Sequence, residues 1–288
     1  MQQLAEHRFT WSRRTTATAA ESWFETLSHL GPMRVMVTQN AGSTSAQIQA
    51  HGLTQSEAGA LAAEYGGKIS EATWLTKTNS PQRAPIRVRG RFSVVSTEAE
   101  RTASLESSGK PALWIPAGLA FGTGEHATTA MCLRHLADIA RPLARESWEF
   151  LDLGTGSAIL AMAARVLGAR KVLGTDFDAL ALRTAKENVS NNNLNHIKLV
   201  RSDVLKWNPE RTWEVVAANL FSGVLIEAAP VIARAVAKGG HLLLSGVLRE
   251  QEAEVLAAFS AQKLTVERVV RKGKWISAHA RKSATAKR

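Results

Sequence analysis

The stretch LDLGTGSAIL, residues 151–160, reads as the end of a strand, a tight turn and the start of a helix. In that arrangement backbone N–H groups and a close approach of the chain receive a nucleotide-like ligand. Gly154 and Gly156 leave room where such a ligand must come near. The next strand candidate ends in GTDFD. Its Asp176 is placed to accept hydrogen bonds from both ribose hydroxyls of a nucleoside, whereas Asp178 suits a helix cap. A further strand ends in VVAANLFSG, and Asn219 at its edge brings an amide that both donates and accepts to the same crevice. An ordinary strand-end asparagine bonding its own backbone is the simpler alternative there.

The glycine spacing discriminates between ligands. A dinucleotide fingerprint needs G-x-G-x-x-G, and Ile159 stands at its third glycine. Methyltransferases that use S-adenosylmethionine carry G-x-G-x-G, from which Ala158 is a small departure. The Asn-Pro-Pro-aromatic motif of amide and adenine methyltransferases is absent at Asn219. An NAD-dependent oxidoreductase would share the loop and Asp176, but Ile159 and ANLFSG count against it. The stretch AFGTGEHATTA, 120–130, is a second glycine-rich loop. It lacks the Gly-Lys-Ser/Thr ending of a phosphate cradle. His126, Cys132 and His135 are metal-ligand types without a fourth ligand spaced to join them, so no metal site is expected. Asp203 follows the third strand, where it would meet an adenine amino group or simply cap a helix.

The elements that must position these residues alternate. From Leu119 onward, EFLDL, KVLGTD, HIKLV, WEVVAANL and GHLLLSGVL are strand candidates, with helices beginning near Ser157, Asp178, Gly223 and Arg249. Such alternation implies a mostly parallel sheet covered on both faces. The run KLTVERVVRKGKWISAHARK adds an antiparallel edge hairpin about Lys272 and Gly273. Residues 1–85 read as a small α/β module, with a strand at MRVMV and a helix capped by Thr54 and ended by Gly66 and Gly67. PIRVRGRFSVVS alternates like a strand or hairpin, and TEAERTASLESSGK reads as a connecting loop. The expected organisation is therefore a small α/β module at 1–85, a linker at 86–118 and a larger α/β domain at 119–288.

Composition fits that plan. With 288 residues, 45% apolar and 21% charged, the chain has the proportions of a globular protein with a sizeable core. Cys132 is the only cysteine, which excludes an intramolecular disulfide and fits a reducing cytoplasm. The first residues lack the apolar run of a secretory signal, and Val215–Ala237 is interrupted by Asn219, Glu227, Pro230 and Arg234, so no membrane association is expected. The net charge is +11, and Lys263–Arg288 carries nine Lys or Arg against the single acid Glu267. That segment reads either as a solvated tail or as a surface for RNA phosphates.

Taken in order and spacing, AFGTGEHATTAMCL, LDLGTGSAILAMAARVLGARKVLGTDFD, VVAANLFSGVLIEAAPVIARAVAKGGHLLLSGVLREQ and GKWISAHARK resemble the methyltransferases of large-subunit ribosomal protein eleven. The FGTGxHxTT and ANLxxG segments are the most specific, because generic methyltransferases lack both. The resemblance implies a class I, Rossmann-like α/β fold with seven strands, and a small N-terminal domain that recognises the ribosomal protein. It implies methylation of lysine ε-amines and an N-terminal α-amine with S-adenosyl-L-methionine as donor. It also implies cofactor contacts at Thr129, Gly154, Asp176 and Asn219, with Phe121 and Gly122 nearby; Gly156 joins them from the local reading. In this light AFGTGEHATT folds across the same crevice instead of holding a second ligand. No side chain is identified as a general base. The departures are Ala127 for Pro, Thr155 for Cys and Ala158 for Gly, and residues 1–80 match the recognition domain poorly.

Overall fold

In a computed structural model, which describes residues 9–16, 19, 23, 26–27, 30, 34–39, 44–71, 84–116, 124 and 126–284, the chain separates into two units, Met1–Pro81 and Gln82–Arg288. The first unit is an antiparallel sheet of β1 (Phe9–Thr16), β2 (Val35–Gln39), β3 (Ser45–Leu53) and β4 (Lys68–Glu71), in the order β2-β3-β1-β4. Helix α1 (Gln55–Tyr65) starts at Thr54, whose hydroxyl accepts from the Glu57 amide while the Glu57 carboxylate accepts from the Thr54 amide. This reciprocal cap satisfies two orphan donors at once. Trp11, Ile48, Leu53, Ala58 and Leu61 form the core, and the indole of Trp11 donates to the Gly66 carbonyl at 2.7 Å. The pairing of an apolar ring with a satisfied N–H is what lets Trp11 be buried completely.

The second unit begins with β5 (Ile86–Val88), β6 (Phe92–Val95), helix α2 (Glu98–Ser108) and β7 (Ala112–Trp114). β5 and β6 form the expected hairpin, and β7 joins β6 in parallel. Two expectations are corrected here. Residues 97–110 are not a loop: Thr97 and Glu100 make a second capping box, and Gly109, at φ 62°, ends the helix. The helix escapes a hydrophobicity reading because none of its residues is buried. Nor is 86–118 a linker, since Val88, Phe92, Val94, Leu113 and Ile115 pack into the main core.

The remaining elements are α3 (Ala127–Leu143), β8 (Glu149–Leu153), α4 (Ile159–Val166), β9 (Lys171–Asp176), α5 (Ala179–Asn191), β10 (Ile197–Arg201), β11 (Trp213–Asn219), α6 (Ser222–Ala235), β12 (Val236–Leu248), α7 (Glu252–Ser260), β13 (Leu264–Lys272) and β14 (Trp275–Lys282). Seven strands form one sheet in the order β10-β9-β8-β11-β12-β14-β13, parallel as far as β12 and antiparallel from there to the β13 edge. Successive strand residues enter opposite cores. Phe150, Val215 and Leu243 join α3 and α4, whereas Leu151, Val216 and Leu242 join α6 and α7. A sheet apolar on both faces needs helices on both faces.

The basic segment is a folded hairpin up to Lys282 and not a tail. Arg271 pairs with Glu252, Arg268 with Asp138, and the Lys282 ammonium donates to the carbonyls of Ala233 and Val236. No described helix is long and apolar enough to cross a membrane. Because α2 buries none of its residues, its cap should carry much of its stability. Thr97→Ala should cost about 1 kcal/mol, read as loss of amide-exchange protection confined to residues 98–108; unchanged protection would show that packing holds the helix.

Candidate active site

The strand order reverses between β8 and β11, which pair in parallel at the centre of the sheet: from β8 the chain continues outward through β9 and β10, and from β11 through β12 into the other half. The crevice beyond the carboxyl ends of strands at such a reversal is where open α/β sheets bind ligands. Four sequence-predicted residues reach this edge from separate elements: Gly154 and Gly156 after β8, Asp176 ending β9 and Asn219 ending β11.

Asp176 organises the edge. One carboxylate oxygen accepts from the Gly156 amide at 2.9 Å and the other from the Asp178 amide at 3.0 Å. A carboxylate offers about four lone-pair sites, so acceptor capacity remains beyond these amide bonds. Burial holds its pKa above the ordinary value, against the lowering effect of those amide bonds. Asp178 caps α5 by accepting from the Leu180 amide, as its position suggested.

Beneath the loop lies Asp152, a residue the sequence reading passed over. Its Oδ2 accepts from the Thr155 hydroxyl at 2.7 Å and the Ala161 amide at 3.2 Å, binding the turn to the first turn of α4. The far side of the loop is held by Asn188, whose amide donates to the Ser157 carbonyl at 2.9 Å. Ala158 takes the third position of the motif with φ 63°, the left-handed region that glycine adopts freely.

Asn219 is fixed from below. A Cβ on Gly154, at φ 70°, would come within 2.3 Å of the Leu220 side chain, and one on Gly246, at φ 85°, within 2.2 Å of the Leu220 carbonyl oxygen. The two glycines admit Leu220, whose amide also donates to the Ser245 carbonyl. Gly246 is a site residue that sequence reasoning missed, since a lone glycine late in a strand signals only a bulge or a close approach.

Of the first glycine-rich stretch, Gly124 and residues 126–130 are described. Gly124 lies so close to Ile159 and Ile86 that an added Cβ would stand 3.3 Å from each side chain. His126 packs edge-on against Trp275, with ring centroids 5.1 Å apart, and Trp275 is paired with Leu248 at the carboxyl end of β12. The N-terminus of α3, with Thr129 in its first turn, therefore reaches the same edge of the sheet. Phe121 and Gly122 lie outside the described residues. The buried Thr129 hydroxyl and the buried Asn219 Oδ1 find no hydrogen-bond partner among the described residues. Buried polar atoms without partners are costly. Phe177 and Phe221 add exposed aromatic surface beside Asp176 and Asn219.

Other candidates have different neighbours. Cys132 is buried beside Ser277, with its thiol pushed up to about 12 by burial, and His135 lies beside His279. Asp203 accepts from the Leu205 amide, capping the turn after β10.

This sheet order, with an acid-anchored glycine loop at its reversal, defines the class I methyltransferases, whose methyl donor is S-adenosylmethionine. The solved structure of a ribosomal protein L11 methylase from Lactobacillus delbrueckii subsp. bulgaricus matches with a TM-score of 0.61 and 25% identity, covering 69% of this chain and 100% of that one. The chain belongs to the family described as ribosomal protein L11 methyltransferase (PrmA), which matches residues 14–283 and so includes most of the poorly matching N-terminal unit. A ribosomal protein L11 methyltransferase from Geobacter sulfurreducens is 39% identical over 222 residues, 74% of this chain and 71% of that protein. One from Methylobacillus flagellatus is 39% identical over 193 residues, 66% of this chain, and the match spans only 60% of that protein's length.

Asp152 supplies a pH test. Burial pushes its pKa up to about 7, against the opposing bonds from Thr155 and Ala161 and with a further upward push from the Asp176 charge. The fold thus favours the protonated acid, and its contribution to stability should fall as pH rises from about 4 to about 7. Asp152→Asn keeps an acceptor for both bonds and cannot ionise. Its thermal midpoint should gain on that of the wild type across this interval; parallel curves from pH 4 to pH 8 would contradict the assignment.

Proposed function

We propose that the protein transfers methyl groups from S-adenosylmethionine to amines of ribosomal protein L11, the lysine side chains and the N-terminal α-amine. The observation that carries this reading is an acid-anchored glycine loop together with two buried polar atoms, Thr129 Oγ1 and Asn219 Oδ1, that have no partner among the described residues, in a member of this family. Gly154 and Gly156 would lie under the methionine and ribose, Asp176 would take the ribose hydroxyls, and Thr129 and Asn219 would meet the polar groups nearer the methyl. Phe121 and Gly122 are carried in the proposal from the family resemblance. Bound there, the donor would supply a methyl carbon made electrophilic by its sulfonium.

The chain's own part is orientation and exclusion of water, which alone account for large rate factors in well-aligned displacements. Lysine must present a neutral amine, and a poorly solvated pocket lowers its pKa. Asn219 is assigned as a positioning residue, because its amide can hold the incoming amine without taking a proton. No general base is assigned. The first unit would recognise the ribosomal protein, contact with ribosomal RNA would run through the basic hairpin, and a ribosomal substrate places the reaction in the cytoplasm.

Incubation with radiolabelled S-adenosylmethionine and either ribosomal protein L11 or deproteinised ribosomal RNA tests the reading: label should enter the protein, and label on RNA alone would overturn it. Asp176→Ala should weaken S-adenosylhomocysteine binding by roughly 1–3 kcal/mol, the scale of a lost charge-assisted hydrogen bond, as read by calorimetry. Unchanged affinity would remove Asp176 from the ribose site.

A further inference from the structure

The antiparallel end of the sheet gathers imidazoles and a carboxylate that the crevice does not use. Leu243 of β12 stands opposite His279 of β14, and His241 stands opposite Arg281. Residues two apart on a strand share a face, so His241, Leu243 and His279 all lie on one side of the sheet. It is the side of α3, because the ring of His135 sits 6.4 Å from that of His279.

β13 adds the carboxylate through an irregularity. Val266 pairs with Ala280 and Arg268 with His279, leaving Glu267 as an extra residue. A bulge of this kind re-aims a side chain that regular alternation would send elsewhere. Here Glu267 reaches His279 Nδ1 at 3.6 Å while its neighbour Arg268 pairs with Asp138 of α3.

We propose that His241, Glu267 and His279 form a binding site for one divalent transition-metal ion of the zinc type. The nitrogens His241 Nδ1 and His279 Nε2 are 2.9 Å apart, the two rings are stacked, and one ligand atom from each of the three residues lies within 4.8 Å of the others. Ligand atoms around tetrahedral zinc stand about 3.4 Å from one another, given bonds of about 2.0–2.2 Å; Glu267 faces Nδ1 of His279 and His241 faces its Nε2, so the His279 ring must turn to bring one nitrogen to both and the His241–His279 hydrogen bond gives way to the ion. Two imidazoles and one carboxylate are a donor set that suits zinc and leaves a fourth position for water. A further imidazole is at hand, since the buried Nε2 of His135 has no partner among the described residues.

Two guanidinium groups, those of Arg268 and Arg281, act on His279 and oppose a bound cation, and each has another partner. The Arg268 guanidinium is shared with Asp138, and Arg281 directs its Nε to the Gly239 carbonyl. Glu267 is 41% exposed and His279 12%, which gives an ion a path from solvent. The site lies toward the opposite end of β12 from Ser245, the partner of Asn219, so it is distinct from the crevice. Its consequence is structural: one ion would join β12, β13 and β14, and an ion that binds only the folded chain stabilises it.

The test uses the full chain, free of any affinity tag and treated with a chelator. Zinc titrated by calorimetry should bind one ion per chain and raise the thermal midpoint, and cobalt(II) should give visible ligand-field absorption. His241→Gln and His279→Gln should each weaken zinc binding at least tenfold. Glu267→Gln, at an exposed position that folding does not depend on, should also weaken it, with an unchanged circular dichroism spectrum. Absence of a stoichiometric ion, or one-ion binding that all three substitutions leave unaltered, would overturn the proposal.

Discussion

The hydrogen bond from the Gly156 amide to the Asp176 carboxylate ties the loop after β8 to the end of β9, across the point where the ligand crevice opens. Asp152 grips the same loop from below, through Thr155 and the start of α4. Burying two acids is expensive, and desolvation is the largest cause of the upward displacement of both pKa values. Their cost is offset by amide and hydroxyl donors that would otherwise be buried without partners. The result is a loop whose backbone is set before any ligand arrives, with acceptor sites on Asp176 still open.

Around that loop the fold needs little more than consistent layering. Phe150 and Leu151, Val215 and Val216, and Leu242 and Leu243 send their side chains into opposite cores, so each strand is held from both sides and its carboxyl end is placed with it. Gly154 and Gly246 allow Leu220 to nest between their backbones, which sets Asn219 at the rim. Gly124 of the first glycine-rich stretch lies against Ile159, at the start of the helix that the second begins.

Much of this was legible because local chemistry and fold demand the same residues. The glycine turn, the acid at the end of the second strand and the asparagine at the end of the fourth each sit where strand ends must place them. Helix α2 reads as a loop because its composition is polar with no apolar stripe, and the capping box of Thr97 and Glu100 is its one helix signal. The hairpin before it reads correctly in PIRVRGRFSVVS, but alternation does not show that Val88, Phe92 and Val94 pack into the main core, and the three-residue β7 carries too short an alternation to read. Ala158 shows the opposite case: its left-handed backbone costs roughly 1–2 kcal/mol and persists because the glycine-motif turn is over-determined on both sides. The grouping of His241, Glu267 and His279 was invisible, since it depends on strand register and on one bulge.

The central claim is that the acid-anchored loop and Asn219 form one cofactor site. Titration of the isotopically labelled chain with S-adenosylhomocysteine, followed by amide chemical shifts, tests it most directly. The account predicts that the largest changes fall on the backbone amides of residues 154–157 and 176–178 and on the side-chain amide of Asn219. Changes centred on another part of the chain, with these resonances unmoved at saturation, would contradict it.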